Sequence, residues 1–147
     1  MNSNLAQAIS LLEKENYTCV LCKDKEIYTS KLHGVLPLMN WLSQGTDLKN
    51  AIAADKVVGK AAAFLYVNLG VKEVYAEVMS SAAIHVFQTY GITFSYKMLV
   101  EKILNRTGTE LCPMEQAVKD IEAPAVAFGA IKQTAKFLQT LATGKRK

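Results

Sequence analysis

The sequence predicts an α/β protein, a three-layer α/β/α sandwich around a mixed sheet with an antiparallel hairpin near its N-terminus. Three observations carry this. "YTCVLCKDKEIYTS" (17–30) reads as two short strands around a polar turn. "VKEVYAEVMS" and "ITFSYKML" have strand character, and the stretch 80–90 between them has helical spacing. A strand–helix–strand unit over 71–99 closes as a right-handed crossover between parallel strands, so the sheet is mixed and helices cover both of its faces.

Taken in order, 4–15 carries Leu5, Ile9, Leu11 and Leu12 on one helical face, with Asn2, Ser3 or Asn4 as cap. The hairpin follows, with strands at 17–22 and 26–30 and a turn at 23–25. "HGVLPLMNWLSQG" predicts a short helix closed by Gly45, with Met39, Trp41 and Leu42 packed on the core. Residues 55–68 read as a longer helix, or a loop running into one, stopped at Leu69-Gly70. The strand at 71–79 leads to a helix capped by Ser80 or Ser81 and ended by Gly91. After the next strand, "NRTGTELCPMEQAVKDI" is a loop feeding a helix from Pro113, and Pro124 opens the last helix, 125–141.

Bulk composition sets bounds. With 147 residues the chain suits a single domain over 1–147, and 50% apolar with 20% charged residues is a globular balance. The net charge of +4 is mild, and three of the cations stand in the final "GKRK", which reads as a flexible tail over 144–147 rather than a nucleic-acid arm. No apolar stretch is long enough to span a bilayer, and the N-terminus lacks the pattern of a signal peptide. The odd number of cysteines, Cys19, Cys22 and Cys112, then points to free thiols in a reducing cytoplasm. Cys19 and Cys22 spell C-x-x-C, but on a strand residues three apart face opposite sides, so a paired role is not expected. His33 and His85 read as isolated packed or surface residues, and no metal site is expected.

"AADKVVGKAAAFLYVNLG" (53–70) is the stretch that raises a chemical question. A phosphate loop needs a glycine five residues before Gly59 and a hydroxyl after Lys60, and the chain has Ala54 and Ala61 there. A weaker anion site survives, with Lys60 in the first turn of a helix. If that helix starts near Asp55, Lys56 and Lys60 share a face, and Asp55 is either its cap or an orienting carboxylate. The alternative is a capped helix with two solvated lysines. The layout also matches zinc nucleobase deaminases, in which successive helix starts carry His (or Cys)-x-Glu and Pro-Cys-x-x-Cys. Here those places hold "GKAAA" (59–63) and Ser80 with Ala83, or Ser81 with Ile84, so the ligands are absent.

Taken together, "DKVVGKAAA", "SSAA", "NRTG" and "CPME" resemble a bacterial family, the domain of unknown function numbered 1893, over residues 17–138. The resemblance implies a cytidine-deaminase-like fold and a pocket location, and no particular activity.

The remaining candidates lie in loops. Cys112 precedes Pro113, and Glu115 is placed either to reach back as a capping box or to serve a helix-terminal thiolate as base. Asn105 and Arg106 form a polar pair before a Thr-Gly turn, suited to gripping a carboxylate or phosphate or simply solvated. Helix starts near Gly59, Ser80 and Pro113 would gather beyond the carboxyl ends of the strands, where open α/β sheets bind ligands. The expected site is Asp55, Lys56, Gly59, Ser80, Ser81, Asn105 and Arg106 as binding residues, with Cys112, Glu115 and Lys60 as catalytic candidates. Its expected guest is a small anionic or nucleotide-like molecule, bound without cofactor. The competing expectations are a non-catalytic oligomeric or regulatory module, with an apolar helix such as 126–138 as interface, and a zinc deaminase with relocated ligands.

Overall fold

A computed structural model describes residues 3–105 and 107–144. Asn2 as a cap, Arg106, and the cationic end Lys145–Lys147 lie outside the described residues. The elements run α1 (Ser3–Lys14), β1 (Cys19–Lys23), β2 (Glu26–Ser30), α2 (Leu36–Gln44), β3 (Ile52–Val58), α3 (Lys60–Leu69), β4 (Glu73–Ser80), α4 (Ser81–Tyr90), β5 (Thr93–Val100), α5 (Pro113–Val118) and α6 (Pro124–Gly144). The sheet is mixed, as expected, with strand order β2-β1-β3-β4-β5. β1 is antiparallel to both β2 and β3, while β3, β4 and β5 are parallel.

One expectation is corrected. Residues 55–58 are not the start of a helix; they are the second half of β3, the central strand. "IAADKVV" is a nearly continuous apolar run because both faces of this strand are covered. The charged pair Asp55-Lys56 imitates a helix cap while sitting mid-strand. Asp55 is therefore not an N-cap, and Lys56 and Lys60 do not share a helical face.

α3 explains the alanine-rich run that follows. Ala61, Ala62, Ala63, Phe64, Leu65, Tyr66 and Leu69 are all buried, because the helix lies between the sheet and an outer shell of helices. α2, α4, α5 and α6 all contact it. A helix enclosed in this way is apolar all round, and its alanines permit close approach of its neighbours. Gly70 ends it in the left-handed conformation, its N–H meeting the Tyr66 and Val67 carbonyls.

The opposite face of the sheet carries α1, which lays Leu5, Ala8 and Leu12 on β1 and β3. Ala8 and Leu12 form a second, smaller core with Val20, Cys22 and Ala54. Cys19 belongs to the main core, so the two thiols of the C-x-x-C do face opposite sides. Leu12→Ala should remove about 2–5 kcal/mol of stability, read as a lowered denaturant midpoint, because it deletes the largest fully buried side chain of the small core and leaves a cavity there.

Candidate functional site

The crevice beyond the carboxyl ends of β3 and β4 is built by reciprocal contacts between α3 and α5. At the start of α3 the N–H groups of Lys60 and Ala61 have no intrahelical acceptor. Both donate to the Glu115 carboxylate, at 2.7 and 2.8 Å. In return, Lys60 Nζ donates to the Lys119 carbonyl at the end of α5, at 3.0 Å, and lies 3.6 Å from Glu122. Each helix thus supplies the side chain that caps the other, with the charge sign that its dipole favours. Glu115 does not form the local capping box: the Cys112 N–H donates instead to the Ile103 carbonyl. Burial pushes the Glu115 carboxyl above its usual range, and the two amide donors and Lys60 pull against that rise.

Gly59 makes this approach possible. A Cβ at that position would lie 2.3 Å from Glu115 Oε1 and 2.8 Å from Ile103 Cγ1. Its φ of −103° is open to any residue, so the glycine is required by space and not by backbone strain. Ser80 caps α4 as expected, its hydroxyl accepting from the Ala83 N–H at 3.1 Å.

Between the starts of α3 and α4 and the segment 101–111 lies a cleft of about 500 Å³. Lys60, Ser80 and Glu115 line it together, as the sequence predicts. Ala82, Ile103, Leu104 and Leu111 supply apolar walls, while Glu101, Lys102, Glu110 and Lys119 bring further charge. These latter residues escaped sequence reasoning, although the segment after β5 is where a parallel sheet places its ligand loops. Asn105 and Cys112 line a separate neighbouring hollow with Leu104, Thr107 and Pro113. The Asn105 side-chain oxygen is committed to its own loop, accepting from Thr107 Oγ1 and, at 3.2 and 3.4 Å, from the Thr109 and Glu110 N–H groups. Ser81 is exposed and outside the cleft lining, and Lys56 pairs with Glu77 at 3.3 Å on neighbouring strands.

Asp55 lies outside the cleft, in a buried network that sequence reasoning missed. Tyr66 donates its hydroxyl to Asp55 Oδ2 at 2.6 Å, and Cys19 Sγ lies 3.3 Å from the same hydroxyl. Burial pushes the Asp55 carboxyl up to about 7, against the pull of Tyr66 and the Val57 and Lys56 amides. The signal for this was a lone carboxylate inside an apolar strand. Among the described residues no group of three or more His, Cys, Asp or Glu side chains could hold a metal ion, and no helix is long and apolar enough to cross a membrane.

Residues 7–135 match the family described as a domain of unknown function, DUF1893. A DUF1893 family protein from Thermotoga maritima has a similar structure, with a TM-score of 0.83 and 26% identity over 90% of this chain and 91% of that one. A diaminohydroxyphosphoribosylaminopyrimidine deaminase/5-amino-6-(5-phosphoribosylamino)uracil reductase from the same organism gives a TM-score of 0.41 at 17% identity, covering 79% of this chain and 40% of that one. No curated protein matches.

Two outcomes are expected. Gly59→Ala should cost about 1–3 kcal/mol in chemical denaturation, since its methyl group must expel the Glu115 carboxylate or shift α5. For Asp55, a folded-state value of about 7 against an ordinary 3.8 means that its share of stability is fully present below the lower value. That share is lost as pH rises through the upper one. Asp55→Asn should therefore flatten the fall in unfolding free energy that the wild type shows from about pH 4 to about pH 8.

Proposed function

The chain belongs to the DUF1893 family, and we propose that its cleft binds a small nucleotide-like molecule bearing an anionic group, in a reducing cytoplasm. The observation that carries the reading is the chemistry of the walls. Lys102 and Lys119 have no ion-pair partner among the described residues and stand beside the apolar surfaces of Ala82, Ile103, Leu104 and Leu111. An apolar slot suits the faces of a flat heterocycle, and an ammonium group suits its phosphate or carboxylate. Glu101 and Glu110 add acceptors for amino or hydroxyl donors on the same guest. A cleft of about 500 Å³ is of a size for one such molecule.

The reading is one of binding. A nucleophilic Cys112 needs a base; Glu115, the base that the sequence offers for it, is spent on the α3 amides while Cys112 opens into the other hollow. The anion would be met by lysine side chains and not by the start of α3, which Glu115 already fills.

Thermal shift and calorimetry with nucleosides, nucleotides and nucleobases test the reading. A nucleotide should raise the melting temperature. Lys102→Glu should weaken binding about tenfold for a phosphorylated guest and less for its nucleoside. Ala82→Trp should fill the cleft and abolish binding while leaving the unliganded melting temperature close to wild type. Unchanged binding to Ala82→Trp, or no stabilisation by any of these compounds, overturns the proposal.

A further inference from the structure

α6 is 21 residues long, and among its described side chains the fully buried ones lie in its first half. Ala127 and Ile131 are fully buried, and the helix packs on α3 and α5. Beyond them it runs outward with Phe137 at 61%, Leu141 at 46% and Leu138 at 38% exposure. At the near end Val126 is 58% exposed. Helical spacing places Val126, Ala130, Phe137 and Leu141 on one stripe beside the buried face. Val126, Phe137 and Leu141 are exposed, and Ala130 is half-buried.

The order of residues along that stripe identifies its occupant. The spacings between the four residues are four, seven and four, so the stripe reads the same in both directions. Laid antiparallel on a second copy about a two-fold axis between Gln133 and Thr134, it sets Val126 against Leu141 and small Ala130 against large Phe137, at both ends. Two-fold pairing requires a patch complementary to itself, and this one is.

The geometry points to a homodimer formed by antiparallel packing of the α6 stripe on its equivalent in a second copy of this chain. The cleft of the proposed function takes no part in it, so the two readings stand or fall separately. A single helix pair is a small interface, and the association is reversible and concentration-dependent.

Light scattering over a concentration series reads it. The wild type should rise from 16.1 kDa towards about twice that mass with concentration. Phe137→Glu should stay at 16.1 kDa and keep the wild-type melting temperature, since the side chain is exposed in the monomer. Ala130→Phe should raise the dissociation constant about tenfold or more by setting large against large. The double variant Ala130→Phe/Phe137→Ala should recover association, because it restores small against large in the reverse order. A wild type that stays monomeric, a Phe137→Glu protein that still dimerises, or a double variant weaker than Ala130→Phe alone overturns the proposal. So does a monomer whose stripe binds anionic lipid vesicles instead.

Discussion

Two N–H groups at the start of α3, one buried and one partly so, need a partner, and the Glu115 carboxylate is that partner. Much of the cleft depends on this contact. It fixes α5 against α3, and with α5 the segment that leads into it from β5. Ile103 is drawn in against Gly59 and gives its carbonyl to Cys112, which anchors the segment at its far end. Lys60 then closes the arrangement from the other side by occupying the end of α5. A carboxylate with two amide donors in a buried setting is strongly held, because the alternative is two unsatisfied donors and a desolvated charge.

The same contact separates this crevice from a phosphate loop. In such loops the helix start is left open for a ligand anion, and small residues let the ligand approach. Here Gly59 gives the same close access, but to a side chain of the chain itself. The cations left on the cleft wall are lysine side chains, Lys102 and Lys119, which are flexible point charges and not a fixed ring of backbone amides.

Most of the fold was legible because its signals were local. The hairpin announced itself by two β-rich runs around Lys23–Lys25, and Gly45, Gly70 and Gly91 each ended a helix in the left-handed conformation. β3 was not legible, since a strand covered on both faces has no polar alternation to read and Asp55-Lys56 imitated a cap. For the site, Lys60, Ser80 and Glu115 were brought together as expected because helix starts converge at one end of a parallel sheet. The partner of Glu115 could not be read: it lies 55 residues away, and only tertiary packing chooses it over the Cys112 amide. The ligation of Asp55 by Tyr66 is a long-range choice of the same kind across the sheet–helix boundary.

The enclosure of α3 also decides how the molecule breathes. With the sheet beneath it and four helices around it, the amides of its buried stretch Ala61–Tyr66 should reach solvent chiefly through global unfolding. Deuterium would therefore enter α3 last, at a rate that measures global unfolding, while the outer turns of α6 would label almost at once.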